Sequence, residues 1–228
     1  MSFDLHIAEH EAGRPVEQVV AAVMNRLEGE LAPTHGQPTG TLGKLLAELH
    51  LVYPPLSALS DDLLDESPWA AEPEVGSGLL TLSLRWSIVG STALRVIQIA
   101  GHCGMGVYDP QADIYYFQDV DFGKERYEVE CPHLFTGVVA SRQLLQQIVP
   151  RLMGKEDPYI VVSRNAEDYA QALWTTAGFR LEYREGSADR HFASESLVEG
   201  ARVVELLSKF TEGDPGWRNS VEFTRVQF

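Results

Sequence analysis

The sequence predicts an α+β fold made of two small units, each an antiparallel or mixed sheet covered by helices. Short runs of alternating apolar residues indicate strands, and stripes of apolar residues at helical spacing lie between them. A hydrophobic share of 44% in 228 residues is enough for packed cores. We place an N-terminal unit at 1–118, an acidic linker or edge strand at 119–134, and a C-terminal unit at 135–228.

The N-terminal unit opens with a strand, because Phe3, Leu5 and Ile7 alternate with polar residues. Its predicted elements, in order, are a strand at 3–7, helices at 16–27 and 42–49, a strand at 80–86, a helix at 91–100, and strands at 105–108 and 114–117. Pro15 suits the start of the first helix, and Trp86 belongs to the apolar face of its strand. This order indicates a small α+β or split-βαβ unit.

The C-terminal unit is organised around residues 159–192. Phe179, Leu181 and Tyr183 alternate with charged residues, which is typical of a strand with one dry face. The predicted antiparallel strands are 169–174, 179–184 and 190–192. Three such strands are not stable alone in water, so a helix has to cover them.

That covering helix is predicted at 197–211. Ser196 and Glu199 match a capping box, and Leu197 and Leu207 belong to its apolar stripe. A further helix begins near Ser141 and is ended or kinked by Pro150. A last strand is predicted at 221–226.

The net charge of the chain limits the classes of partner that it can bind. The chain has 18 basic and 33 acidic residues and a formal net charge of −15. Nucleic acid is excluded as a partner because its phosphates require a basic surface, whereas a basic protein is suited to this charge. Plain solubility is the other interpretation of the same charge.

The cellular setting follows from three features. Two cysteines do not make a disulfide framework. The N-terminus lacks the pattern of a signal peptide, and no apolar run approaches the ~20 residues that a membrane span needs. We therefore expect a cytoplasmic protein without a membrane partner.

The residues capable of chemistry do not form a recognisable motif. His102, Cys103, Cys131 and His133 are ligand types that zinc accepts, but their spacing is poor, so no metal site is predicted. The chain has no P-loop, dinucleotide fingerprint or serine elbow, and no cofactor is expected. We therefore predict a protein that is not an enzyme. The alternative is a small hydrolase that uses Cys103 with His102 or His133.

The acidic stretch 61–78 is predicted to form one long exposed loop, and long loops of this kind are often functional. Binding is therefore predicted on two acidic stretches, chiefly 61–74 and 119–130. The predicted partner-binding residues are Asp61, Asp62, Asp65, Glu66, Trp69, Glu72, Glu74, Asp119, Asp121, Glu125, Glu128 and Glu130. Trp69 is either a loop anchor in the core or an exposed interface residue.

Charged residues also lie on the polar face of the C-terminal hairpin. We expect a cross-strand charge lattice there, and a surface facing a partner is the alternative. Its members are Glu182, Arg184, Glu185, Asp189 and Arg190.

Several short stretches carry a family resemblance. MSFDLHIAE at the N-terminus, DESPWA at 65–70 and GVYDPQ at 106–111 resemble small bacterial proteins found among polymorphic-toxin immunity genes. Residues 159–192, with GDPGW at 213–217 and the strand at 221–226, resemble α+β immunity proteins of contact-dependent and secretion-delivered toxin systems. The resemblance implies an antidote that binds a toxin and blocks its active site without a reaction of its own.

The resemblance and the charge together favour a basic toxin that acts in the cytosol, since toxins that bind nucleic acid are commonly basic. A non-catalytic scaffold that associates with itself, as a homodimer, is a third hypothesis.

Overall fold

A computed structural model describes residues 2–11, 13–29, 39–76, 78–117, 127–132, 134–137, 142–155 and 158–226. The chain forms two compact units, Met1–Val120 and Asp121–Phe228. The α+β fold class is confirmed, because each unit contains an antiparallel sheet and helices. Within the described ranges, every helix is too short or too polar to traverse a lipid bilayer.

The N-terminal unit has a five-stranded sheet in the order β2-β3-β1-β4-β5. Its elements are β1 Ser2–Glu9, α1 Val16–Glu28, α2 Gly40–Val52, β2 Glu74–Gly76, β3 Leu79–Arg85, α3 Val89–His102, β4 Met105–Asp109 and β5 Ile114–Tyr116. β1 pairs antiparallel with both β3 and β4, so β3 and β4 run parallel on either side of it. α3 joins those two strands, and the predicted split-βαβ arrangement is confirmed.

Helices pack against both faces of this sheet. Leu5 and Ile7 of β1 are fully buried, and α2 and α3 contact the sheet. Ala8 lies on the opposite face because side chains alternate along a strand, and it packs with Val19 and Val23 of α1. The predicted apolar face of α1 is therefore the one that the helix buries.

The predicted loop at 61–78 is only partly a loop. A 3₁₀ turn forms at Leu64–Glu66, and β2 occupies Glu74–Gly76 at the sheet edge. Val75 pairs with Leu80 of β3. The expectation of one long exposed loop is wrong because the edge of β3 offers backbone partners to this segment.

The C-terminal unit has a seven-stranded antiparallel sheet in the order β12-β11-β10-β9-β8-β6-β7. Its elements are β6 Glu128–Cys131, β7 Phe135–Gly137, α4 Arg142–Ile148, β8 Tyr159–Asn165, β9 Asp168–Thr175, β10 Gly178–Glu185, β11 His191–Ser194, α5 Gly200–Thr211 and β12 Phe223–Arg225. The three strands predicted from the sequence are β9, β10 and β11.

Part of the predicted linker belongs to this sheet. Glu128–Cys131 pairs with β8 on one side and with β7 on the other, so it is neither a linker nor an edge strand. Val129 and Cys131 are buried, and Glu128 and Glu130 are exposed. This alternation gives the strand one face for the core, which a linker does not need.

α5 covers β9 and β10 and packs against α4. The predicted capping box is wrong: the helix begins at Gly200, and Glu199 at its N-cap makes no side-chain cap hydrogen bond. Val198 instead exchanges two backbone hydrogen bonds with Phe179, at 2.8 and 2.9 Å. This bridge holds the preceding chain extended, and Leu197 is 46% exposed rather than in the apolar stripe.

The predicted end of the helix near Pro150 is confirmed. α4 stops at Ile148, and Pro150 lies in a following 3₁₀ turn, because proline lacks the amide proton that an α-helix requires. Gly213, just after α5, has φ of 72°, a conformation that glycine adopts readily. Trp217 is buried against Tyr183 and Phe210.

Leu207→Asp is expected to unfold the C-terminal unit. Leu207 is 1% exposed; the change removes about 1.5–3 kcal/mol of apolar burial and places a carboxylate in a dry core. Thermal unfolding followed by circular dichroism measures the effect. Leu197→Asp is the control and should melt close to wild type. Equal melting temperatures for wild type and Leu207→Asp would refute this packing.

Candidate functional site

The acidic segment, residues 61–74, links α2 to β2 in the N-terminal unit. Its six predicted carboxylates are all exposed: Asp61, Asp62, Asp65, Glu66, Glu72 and Glu74. Glu128 and Glu130 are exposed on β6 of the C-terminal unit, where the Tyr159 hydroxyl donates to Glu130 at 3.3 Å. Asp119, Asp121 and Glu125 lie outside the described residues.

One arginine fixes the shape of the acidic segment. The Arg85 guanidinium donates to the backbone carbonyls of Leu64 at 2.9 Å, Asp65 at 3.0 Å and Trp69 at 3.2 Å. Its charge also lies 3.7 Å from the Asp65 carboxylate. Five donors in a planar group suit such multiple contacts, so the main chain of the segment is held while its carboxylates remain in solvent.

Backbone hydrogen bonds to β3 also hold the acidic segment in place. The Arg85 amide donates to the Pro68 carbonyl at 2.9 Å, and the Ala70 amide donates to the Ser83 carbonyl at 2.8 Å. At the far end of the segment, the Glu72 carboxylate accepts from the Ser57 amide at 2.6 Å. The segment is therefore attached to the edge of β3 and to the turn after α2.

Trp69 is a core anchor, the first of its two predicted roles, so it is not an exposed interface residue. Its side chain is 0% exposed. The indole N–H donates to the Pro54 carbonyl at 3.0 Å, and the Tyr53 ring packs edge-on at 5.8 Å. A tryptophan this large is more stable in the core when its N–H finds a partner, as it does here.

Trp86 is not on the apolar face of β3, where its alternation with Leu80, Leu82 and Leu84 predicted it. β3 ends at Arg85, so Trp86 leaves the alternating face and is 47% exposed. Its indole N–H donates to the Ser2 carbonyl at 3.1 Å, and Phe3 packs edge-on at 5.2 Å. The sequence does not show where β3 ends, because β3 pairs with β1, and two helices separate these strands in the chain.

The two units differ in charge balance. The N-terminal unit holds sixteen acidic residues against five basic ones, and the C-terminal unit seventeen against thirteen. Ion pairs between described residues of the N-terminal unit include Arg14–Glu11, Lys44–Glu48 and Arg85–Asp65. Most of the negative charge of this unit therefore has no basic residue of the same unit to balance it.

In the C-terminal unit the charged residues are largely paired with one another. The predicted lattice residues form ion pairs: Arg180–Glu182, Arg184–Glu167, Arg190–Glu185 and Arg225–Asp189. Glu185 also pairs with Arg218, which lies over the rings of Tyr183 and Trp217. These pairs support the structural interpretation of the lattice.

The cysteines are in environments that disfavour the thiolate. Burial and then the nearby Glu48 carboxylate raise the pKa of Cys103, whose thiol donates to Glu48 at 3.6 Å. Burial raises the pKa of Cys131 to about 11. His102 contacts the carbonyl of Gln98 on its own helix through Nδ1, at 2.8 Å. His133, the other predicted base, lies outside the described residues.

The other possible sites are a metal cluster and a surface cleft. Among the described residues, no group of three or more His, Cys, Asp or Glu side chains is arranged to hold a metal ion. A shallow cleft of about 470 Å³ lies between the start of α5 and the turn before β12, with Leu197, Glu199, Arg202 and Val221 on its walls. Arg202 is already paired with Glu205, and neither cysteine lines the cleft.

Comparisons with known proteins gave no relatives. No protein-family model matches the chain, and no curated protein or solved structure matches it significantly.

Substitution of the two tryptophans should distinguish the buried Trp69, which stabilises the core, from the exposed Trp86. Trp69→Ala is expected to destabilise the protein by about 3–5 kcal/mol because a large buried side chain is lost. Trp86→Ala should change stability by about 1 kcal/mol or less, since half of its ring is already solvated. Chemical denaturation of both variants measures this difference. A larger loss in Trp86→Ala than in Trp69→Ala would contradict the assignment.

Alkylation should report the environment of Cys103. Because its pKa is raised, iodoacetamide should react with it more slowly at mildly alkaline pH than with an unstructured cysteine peptide. Glu48→Gln should lower the pKa and accelerate the reaction severalfold. Lys44→Gln is the matched control and should slow it, because the Lys44 charge lowers this pKa. Peptide mapping separates Cys103 from Cys131, and an unchanged rate in Glu48→Gln would contradict the stated cause.

Proposed function

We propose that this protein is an immunity protein, which binds a basic toxin domain acting in the cytoplasm and blocks it. The observation that carries the proposal is the acidic segment, whose six exposed carboxylates project from a main chain held by Arg85. The uncompensated charge of the N-terminal unit supports the same interpretation.

The proposed inhibition depends on the charge of the toxin as much as on that of the antidote. A toxin that acts on nucleic acid needs a cationic surface to bind phosphates. An acidic protein surface competes for that surface, and complementary charge raises the rate of encounter. Binding at the cationic surface would exclude the substrate without any chemistry in the antidote.

The fixed shape of the acidic segment adds affinity. A flexible acidic loop would lose conformational freedom on binding, and this loss subtracts from the binding free energy. Here Arg85 and the burial of Trp69 have already fixed the main chain. The carboxylates can therefore form ion pairs with a partner while the main chain stays in place.

The resemblance of the sequence to immunity proteins of toxin systems agrees with this proposal. The hydrolase alternative is not favoured by the geometry: the pKa of Cys103 is raised, whereas a nucleophilic cysteine needs a lowered one. A role in binding needs no such activation.

The proposal predicts a charge-dependent complex with the product of the adjacent reading frame. Asp61→Asn, Asp62→Asn and Glu66→Gln combined should weaken that complex by about tenfold or more, because close charge pairs at such interfaces couple by ~1.5–7 kcal/mol. Calorimetry measures the affinity at low and high salt, and affinity should fall as salt rises.

The matched control neutralises three exposed carboxylates of the C-terminal unit: Glu195→Gln, Glu199→Gln and Glu212→Gln. It changes net charge by the same amount and should bind within about twofold of wild type. Co-expression in bacteria is the functional readout. If the adjacent gene product arrests growth equally with and without this protein, the proposal is refuted.

A further inference from the structure

The C-terminal sheet has one face against α5 and one face turned away from it. Phe179 and Tyr183 of β10 are buried, and Gly200 at the start of α5 lies against the Phe179 ring. Side chains alternate along a strand, so Arg180 and Glu182 lie on the opposite face of β10. We call this second face the open face.

The strand register determines which residues are neighbours on the open face. Arg180 of β10 pairs with Leu173 of β9, and Leu173 pairs with Tyr159 of β8. Two residues further along β8, Val161 pairs with Glu130 of β6. Residues that pair across strands point to the same side of a sheet, so these five side chains form one continuous patch.

The centre of this patch is apolar and accessible to solvent. Leu173 is 40% exposed, and Tyr159 and Val161 are half-buried. The solvated face of an antiparallel sheet usually carries polar side chains, whereas contiguous exposed apolar side chains are typical of an interaction surface. The composition of the open face therefore indicates that another molecule binds it.

Opposite charges flank the apolar centre. Glu130 is exposed and accepts a hydrogen bond from the uncharged Tyr159 hydroxyl. Arg180 is 50% exposed on its side chain and pairs with Glu182 through Nε at 3.4 Å. A guanidinium has five N–H donors, so Arg180 can bind a second carboxylate as well. β10 and β6 are three strand steps apart, which separates the two charges by about 14 Å.

We propose that two copies of this chain associate through the open face, with Arg180 of each copy against Glu130 of the other. A two-fold axis that passes between the two charges exchanges them, so the same ion pair forms twice in the dimer. The apolar centre is then buried between the copies. This proposal goes beyond the proposed function and does not depend on it, because the acidic segment belongs to the N-terminal unit.

A second copy matches the open face better than other occupants do. A protein surface of a single charge, basic or acidic, would be attracted by one end of the patch and repelled by the other. The phosphates of nucleic acid or of anionic lipid would be repelled by Glu130. Another copy of the same face presents both charges at the matching separation.

Sedimentation equilibrium of the full-length protein over a range of concentrations tests the proposal. Wild type should form a dimer. Arg180→Glu and Glu130→Arg should each raise the dissociation constant of the dimer by about tenfold or more, because each substitution brings two pairs of like charges together. Arg142→Glu is the matched control, since it reverses an exposed arginine of α4, and it should dimerise as wild type does.

Exchange of the two charges distinguishes a direct contact from damage to the fold. The double variant with Arg180→Glu and Glu130→Arg regains opposite charges and should dimerise within about threefold of wild type. An equimolar mixture of the two single variants should form a heterodimer for the same reason. A wild type that stays monomeric at every concentration would overturn the proposal. A dimer that survives both single reversals, or a double variant that dimerises no better than the single ones, would also overturn it.

Other occupants of the open face are tested with Leu173→Asp, which places a charge in the apolar centre. Dimerisation should be lost in this variant, while binding to anionic phospholipid vesicles and to the product of the adjacent reading frame should equal that of wild type. Binding to either one that is lost while the dimer persists would assign the open face to that occupant and overturn the proposal.

Discussion

The structure of the acidic segment depends on one guanidinium. Arg85 gives three hydrogen bonds to carbonyls of that segment, and hydrogen bonds from charged donors contribute about 1.5–3 kcal/mol each. Without them, the Leu64 and Asp65 carbonyls would need water, and repulsion among Asp61, Asp62 and Asp65 would favour an extended loop. Because the guanidinium binds mainly the backbone, the acidic side chains keep their charge facing outward.

The two units use acidic residues in different ways. In the C-terminal unit, Glu185 joins Arg190 and Arg218, which connects the end of β10 to the turn that carries Trp217. The Glu185 carboxylate therefore stabilises the fold and is already paired with two arginines of its own unit. In the N-terminal unit, the exposed carboxylates have few basic neighbours within the unit, so they gain most when a cation arrives from another molecule. The net charge of −15 does not show this difference between the two units. The ion pairs within each unit do.

The sequence predicts the helices and strands better than it predicts which of their side chains are buried or exposed. Local periodicity identified α1, α2 and the strand pair of β9 and β10, because alternation and helical spacing are properties of neighbouring residues. The exposure of two tryptophans depends on contacts that periodicity does not reveal: Trp69, in a polar stretch, fits a buried or an exposed position and is buried beside β3, whereas Trp86 continues an apolar alternation but extends past the end of the pairing. Ser196 and Glu199 fit a capping box, but the bridge from Phe179 to Val198 prevailed. In each case a contact distant in sequence decided the outcome.

The stretches DESPWA, GVYDPQ and GDPGW each contain residues that stabilise a turn of the fold. In DESPWA, Ser67 accepts from the amide of the buried Trp69. In GVYDPQ, the Asp109 carboxylate accepts from the amides of the turn, and in GDPGW Asp214 accepts from the Gly216 amide ahead of the buried Trp217. These residues would be needed by any protein with the same turns, whatever it binds. In the proposed function, selectivity for a particular toxin would therefore come from the exposed carboxylates of the acidic segment.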